Sequence, residues 1–230
     1  MPKSISGQRI VTSFAGPMYQ ISGQPTDSHM RQVSFKDLGW SETREFQALM
    51  RGAAVLKNFP AMEYTLVRAE FKAGDEDQRL DLLYLRNDGA LLPCELKIGG
   101  KDRDTVGQLL RYVADLYFQT VDLEWLRRQH DQLVDTLGYT KGIDDIFRSD
   151  FHRFITENAI ESRHVRFLPR AGVIIDEDFP SQLQKTIRYL NEYCGFSIRT
   201  WKVEVFVSSD CCIHPDLGSY LFRLDFISVD

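Results

Sequence analysis

The sequence has little of what several common classes of protein require. It contains four cysteines in 230 residues, with no CxxC pair and no spacing typical of a zinc site. Cys211, Cys212 and His214 offer metal-binding atoms, but reduced structural thiols are the simpler interpretation. No apolar run approaches the roughly 18 residues that span a bilayer, and the N-terminus lacks a secretory pattern. We therefore expect a cytoplasmic protein with no membrane partner.

An excess of positive charge is also missing. The 33 acidic residues outnumber the 28 lysines and arginines, which leaves a net charge of -5. This balance argues against a generally basic nucleic-acid binder, yet a site that holds cations with carboxylates is acidic by construction. Basic residues that could dock phosphate, or simply form a solvated charged face, are Lys97, Lys101, Arg103, Arg111, Arg148, Arg153, Arg163, Arg166 and Arg170. There is no GxGxxG loop, and the five histidines are scattered.

The chain reads as one α/β domain preceded by an arm. Residues 1–36 are rich in Ser, Gly, Gln and Pro, which predicts an arm with at most two short strands, around Arg9–Phe14 and Met18–Ile21. Residues 37–230 predict a mixed central β-sheet flanked by helices on both faces, with a helical insertion around 122–160. A strand is expected over Val165–Ile175, and Ser41 can cap a helix that runs to about Lys57.

Charged residues interrupt buried strands in one stretch only, Arg79–Tyr112. Asp81 lies in the apolar run Leu80–Leu85, while Glu95 and Lys97 lie in the run Leu91–Ile98. A buried carboxylate costs several kcal/mol unless it is paired or bound to metal, so these residues need partners.

The loop between these two strands decides whether the charges meet. Asn87, Asp88 and Gly89 tolerate the positive φ of a hairpin turn. A three-residue loop pairs Asp81 with Glu95, with Cβ atoms about 5 Å apart, whereas a two-residue loop turns Asp81 away. Lys97 shares a face with Glu95 in either register. Pro93 cannot donate to a ladder, which predicts a bulge or a locally unpaired edge.

Two carboxylates on adjacent strands can bind a divalent cation, and oxygen ligands favour Mg²⁺ or Mn²⁺. A lysine two residues on can orient a water and stabilise charge on a phosphate. This set of groups matches the requirements of phosphodiester hydrolysis. A structural ion pair between Asp81 and Lys97 is the alternative interpretation.

The order of Asp81, a hairpin and Glu95-Leu96-Lys97 resembles the signature of the PD-(D/E)XK nucleases, which have a restriction-endonuclease-like fold. The resemblance implies that Asp81 and Glu95 hold the metal and that Lys97 serves the attacking water. Gln108 and Tyr112 are similar to the QxxxY helix motif of the RecB-type branch, which implies that they support the site and contact DNA. The phrase ELKIGG…GQLLRYV is also similar to archaeal and actinobacterial mismatch endonucleases. Leu80 stands where the family has Pro, and Glu42 and Glu45 are both candidates for its helix-one acid.

The resemblance implies a Mg²⁺- or Mn²⁺-dependent enzyme that cuts DNA, and RNA is not excluded as a substrate. A homodimer that cuts both strands is compatible with the sequence. The alternative is a catalytically inactive protein of nuclease-like fold that binds nucleic acid or another protein. The acidic balance and the missing Pro motivate that alternative.

Overall fold

An α/β architecture is present in the part of the chain that the computed structural model describes, which confirms the predicted class. The described residues are 11–13, 30–37, 39, 41, 46–47, 50, 64–71, 79–99, 104–137, 141–162, 167–169, 171–208 and 219–228. Within these ranges the strands are β1 (Val11–Ser13), β2 (Met30–Val33), β3 (Tyr64–Phe71), β4 (Leu80–Arg86), β5 (Leu91–Leu96), β6 (Gly172–Asp176), β7 (Ile198–Ser208) and β8 (Ser219–Ser228). The helices are α1 (Thr105–Phe118), α2 (Leu123–Leu137), α3 (Lys141–Glu157) and α4 (Ser181–Tyr193), with a 3-10 helix at Ile160–Ser162. None of these helices is long and apolar enough to cross a membrane.

The strands form one mixed sheet in the order β1-β8-β7-β6-β5-β4-β3. Strands β3, β4 and β5 are antiparallel neighbours, β5, β6 and β7 are parallel, and β7 and β8 are again antiparallel. Strand β2 pairs with the C-terminal half of β7, beyond the end of β6. Parallel strands need a crossover connection, and α4 supplies one between β6 and β7.

The β4–β5 hairpin has a three-residue loop, which of the two loop lengths considered is the one that pairs Asp81 with Glu95. Leu82 pairs with Cys94 and Leu85 with Leu91, and the Arg86 amide donates to the Ala90 carbonyl at 2.9 Å. Gly89 has a φ of +84°, which a residue without Cβ adopts at no steric cost. The register on which the site prediction depended is therefore confirmed.

Pro93 lies next to the irregularity that the sequence predicted. Alternate residues of a strand direct their backbone N–H groups to the same side. The Leu91 amide donates to the Leu168 carbonyl on the β6 side, so the nitrogen of Pro93, two residues on, also faces β6. Leu91 bridges Pro169, whereas Cys94 pairs with Val173, so one extra residue lies on the β6 side. The missing N–H of Pro93 therefore falls where the ladder is already broken.

Both faces of the sheet carry a hydrophobic core. On one face, strand residues such as Leu82, Cys94 and Ile175 pack with Phe35, Phe46 and Leu133 of α2. On the other face, Leu83 and Leu91 pack with Tyr112 of α1 and Phe151 of α3, and Ile174 packs with Leu109 and with Ile187 of α4. A Cβ on Gly172 would lie 2.7 Å from Leu109 Cδ2, so this glycine lets α1 approach β6 closely.

Several element bounds differ from the predicted ones. The described strand β6 begins at Gly172, and Pro169 forms only an isolated bridge to Leu91, where proline cannot donate and the register shifts. Val165 and Arg166 of the predicted strand lie outside the described residues. Strand β2 was not predicted, since its short polar sequence is defined by its pairing with β7. The predicted helices of the 122–160 segment are present as α2 and α3. The predicted strand at Met18–Ile21 lies outside the described residues.

Candidate active site

Three charged side chains meet at one edge of the sheet. Strand β4 starts near Asp81 and the antiparallel β5 ends near Glu95, so the two residues lie at the same edge. The paired residues of this ladder end at Leu82 and Cys94. Continuing the same register by one residue sets Asp81 opposite Glu95, and Lys97 follows directly after the strand. Relative exposures of 8% for Asp81, 3% for Glu95 and 7% for Lys97 show that all three are buried.

The position of this pair in the ladder brings its side chains close together. Antiparallel pairs alternate between hydrogen-bonded and non-hydrogen-bonded types, and Arg86 and Ala90 form a hydrogen-bonded pair. The paired residues end at Leu82 and Cys94, and the same alternation continued by one residue gives Asp81 and Glu95 a non-hydrogen-bonded position. The Cα atoms of such pairs are about 4.5 Å apart, closer than in the other type.

Both oxygens of the Asp81 carboxylate accept hydrogen bonds from the chain. The Leu96 amide donates to Oδ2 at 2.8 Å, and the Gln47 side-chain amide donates to Oδ1. These two bonds fix the orientation of Asp81.

Lys97 forms an ion pair within the site. Its Nζ lies 2.9 Å from Glu95 Oε1, and both side chains are buried. Side chains two residues apart on a strand project to the same side, which allows this contact. Charge-assisted hydrogen bonds of this kind are shorter and stronger than neutral ones. An ion pair is therefore present at the site, with Glu95 as an acidic partner of Lys97.

Tyr112, predicted to support the site, lies beside it. Its hydroxyl donates to the Arg79 carbonyl at 2.8 Å, immediately before β4. Burial raises the pKa of Tyr112, and the negative charges of Glu95 and Asp81 raise it further. The phenol is therefore a neutral donor within the electrostatic reach of both carboxylates.

Gln108 lies one turn before Tyr112 on α1. Its backbone amide donates to the backbone carbonyl of Asp104 at 2.9 Å. The side-chain Oε1 is buried and has no hydrogen-bond partner among the described residues. A buried amide oxygen in this condition retains its capacity to accept a hydrogen bond from a ligand.

The charges of the two carboxylates also act on the Cys94 thiol, which is not a candidate nucleophile. Burial raises its pKa well above the usual value, and the charges of Asp81 and Glu95 add to that rise. The side chain belongs to the core on the opposite face of the sheet. Cys94 is a free, neutral thiol that fills space.

Sequence reasoning missed two residues that the fold brings to this edge, Gln47 and Asp176. Phe46 and Gln47 have helical backbone within the predicted Ser41–Lys57 segment, and Gln47 binds Asp81 34 positions away. No local signal distinguishes Gln47 from a surface glutamine. Asp176 ends the apolar run GVIID of β6. The criterion that identified Asp81, a charge in a buried strand, would have found it.

Two carboxylates suit a cation that keeps several waters, which is the usual state of protein-bound Mg²⁺. Asp81 and Glu95 are the side chains that could hold it. Across the described part of the chain, no three His, Cys, Asp or Glu side chains lie together as a metal-binding group. Other predicted candidates lie outside the described residues: Glu42, Glu45, Lys101, Arg103, Arg163, Arg166, Arg170, Cys211, Cys212 and His214.

The described arginines of the predicted basic set are engaged by nearby carboxylates. Arg111 binds Asp104 at 2.8 Å. Arg148 of α3 binds Asp131 and Asp135 of α2, the latter at 2.6 Å, and Arg153 binds Asp150. All these pairs lie on the helical surface, as expected for a solvated charged face.

Comparisons of the chain with protein-family models, with curated proteins and with solved structures find no match. The function is therefore inferred from the residues of the sheet edge and their chemistry.

Proposed function

We propose that this chain is a metal-dependent nuclease with a PD-(D/E)XK core, which hydrolyses DNA phosphodiester bonds using Mg²⁺ or Mn²⁺. The observation that carries the proposal is the meeting of Asp81, Glu95 and Lys97 at one edge of a mixed sheet. Ligands of α/β proteins bind outside the carboxyl ends of parallel strands, and Glu95 lies at that end of β5.

Each residue has a distinct role in this proposal. Asp81 and Glu95 hold the cation, and the bonds from Leu96 and Gln47 keep the Asp81 carboxylate in one orientation. When bound, the cation supplies Lewis-acid stabilisation of charge on the phosphate and eases loss of a proton from water. Lys97 supplies a buried positive charge beside the reacting groups, where low exposure makes electrostatic interactions strong.

The helix α1 supports these residues from one side. Tyr112 ties α1 to the backbone before β4 through its bond to the Arg79 carbonyl. Gln108 presents a buried carbonyl oxygen with no hydrogen-bond partner among the described residues, which can accept from water or from a nucleotide. The two residues would position the substrate and hold the site closed against α1.

The test is incubation of the purified chain with linear and circular DNA, single- and double-stranded, with Mg²⁺ or Mn²⁺. We expect cleavage that a chelator stops. Asp81→Asn should lower the cleavage rate by at least ~100-fold, because it removes a ligand charge. The new amide can still accept from the Leu96 N–H, and Gln47 can rotate its carboxamide to match, so the fold should persist.

Matched controls separate chemistry from surface charge. Asp145→Asn removes an exposed carboxylate of α3 and should leave cleavage within about twofold. Wild-type cleavage by Asp81→Asn, or equal loss in Asp145→Asn, would contradict the assignment. A parallel incubation with single-stranded RNA decides whether the substrate class includes RNA.

A nuclease-like protein that binds without cutting is the second candidate. The observation that favours it is that Lys97 already neutralises Glu95, while Asp81 receives two donors from the chain. Calorimetric titration with MgCl₂ discriminates the two candidates. Heat that disappears in Asp81→Asn supports the enzyme, whereas its absence in the wild-type chain, together with measurable DNA binding, supports the binding protein.

A further inference from the structure

We propose that Asp176 is a positioning residue that holds the Glu95–Lys97 segment in place, an inference that rests on the proposed function. Asp176 is the last residue of β6, the parallel neighbour of β5, and its relative exposure is 0%. A fully buried carboxylate is costly unless donors satisfy it, so its contacts indicate its purpose.

One contact of Asp176 reaches the turn two residues after Lys97. The ladder between β5 and β6 continues as far as the Lys97 amide, which donates to the Ile175 carbonyl at 2.9 Å. The Gly99 amide then donates at 2.9 Å to Asp176 Oδ1, a side-chain atom. Asp178 donates its own amide to the same oxygen at 3.3 Å. Beyond the last backbone hydrogen bond between β5 and β6, the Asp176 side chain therefore supplies the acceptor for the next amide on that side.

Asp81 makes the matching contact on the other side of β5. Its Oδ2 accepts a hydrogen bond from the Leu96 amide. Two buried aspartates on the flanking strands therefore accept hydrogen bonds from backbone amides on either side of Lys97. The turn that Asp176 holds is conformationally special, because Gly99 has a φ of +74°. Residues other than glycine rarely adopt that backbone conformation, and the amide of this glycine is the one that Asp176 accepts from.

The register also places Asp176 beside Lys97, on the strand next to the one that carries Glu95. Leu96 pairs with Ile175, so Lys97 lies alongside Asp176 one step later, on strands about 4.8 Å apart. On its other side Asp176 pairs with Lys202 of β7. Aligned residues of parallel strands project to the same face, which extends the site from β4 across to β7.

The test compares Asp176→Ala, which removes the acceptor, with Asp176→Asn, which keeps an acceptor oxygen for the Gly99 amide. The readouts are the hydrogen exchange of the Gly99 amide and the separate values of kcat and KM for DNA cleavage. We expect Asp176→Ala to lose ~10-fold or more of the Gly99 protection. Its kcat should fall by up to ~100-fold with KM little changed, because the reacting groups are misplaced. Asp176→Asn should restore most of both. Asp178→Ala is the control, since its amide remains.

Unchanged Gly99 exchange and kcat in Asp176→Ala would overturn the proposal. So would global unfolding of Asp176→Ala, or an equal loss of kcat in Asp178→Ala, because either result gives Asp176 no specific role at this turn. A wild-type chain that does not cleave DNA refutes the proposed function alone. In that case the Gly99 exchange still decides whether Asp176 anchors the turn.

Discussion

The sheet edge and the α2–α3 helical insertion both contain ion pairs, but their settings are opposite. Lys97 and Glu95 have 8% and 4% of their side-chain surface exposed, whereas Arg148 has 34% and its partners Asp131 and Asp135 have 54% and 71%. Exposed pairs contribute little and cost little. A buried pair carries a desolvation penalty that an apolar pair would avoid, so its presence indicates a purpose other than stability.

The insertion has a buried polar group of its own, the ring of a histidine. His130 of α2 contacts the Leu66 carbonyl through Nδ1 at 3.0 Å and the Phe147 carbonyl through Nε2 at 3.3 Å. Its ring stacks on Phe151 at a centroid distance of 4.1 Å. Burial lowers its pKa from 6.5, although the two carbonyls oppose that effect. In the insertion, the buried polar ring contacts backbone carbonyls and packs on an aromatic ring. The sheet edge differs because it buries an ion pair.

The largest effect should follow from breaking the buried ion pair. Lys97→Met leaves the Glu95 carboxylate buried beside Asp81 without its lysine, which should lower the free energy of unfolding by about 3–5 kcal/mol. Urea denaturation measures this change. The double variant Lys97→Met, Glu95→Gln should regain most of the loss, because no uncompensated charge remains. A loss below ~1 kcal/mol in the single variant would show that the pair is not buried in solution.

An intermediate effect should come from His130 on lowering the pH. Its folded pKa lies below the unfolded value of 6.5, so the unfolded state binds more protons as the pH falls below 6.5. The stabilising contribution of neutral His130 to the free energy of unfolding is fully present above pH 6.5. It is lost as the pH falls below that value, by at most about 1.4 kcal/mol per pH unit. Urea denaturation between about pH 7.5 and 5.5 should show a shallower pH dependence for His130→Gln than for the wild type.

The control for that comparison is His152→Gln, which changes an exposed histidine of α3. This variant should keep the pH dependence of the wild type. If His130→Gln also keeps it, the acid sensitivity arises elsewhere in the chain.

The smallest effect should follow from Arg148→Ala on the surface of the insertion. Loss of its pairs with Asp131 and Asp135 should cost ~1 kcal/mol or less, and added salt should reduce the difference further. Thermal unfolding at low and high ionic strength checks both points. A cost as large as that of Lys97→Met would remove the contrast between the two regions.

Much of the hairpin could be predicted because its determinants are local. The loop Asn87-Asp88-Gly89 sets the number of residues between the strands, and counting back from it places Asp81 opposite Glu95. The break beside Pro93 also follows from local chemistry, since proline has no N–H. By contrast, β2 has no strong pattern of its own, and its pairing with β7 defines it.

The sequence by itself determined the alternation of buried residues and the side on which Glu95 and Lys97 lie, and it reduced the hairpin to two registers, because these features depend on neighbours in the chain. Only the tertiary structure decided what surrounds them. Gln47 lies 34 positions from Asp81, and Asp176 lies 77 positions from Gly99. Such contacts form when strands β5 and β6 pair and the core closes over them. They depend on packing of the whole chain, which no local pattern encodes.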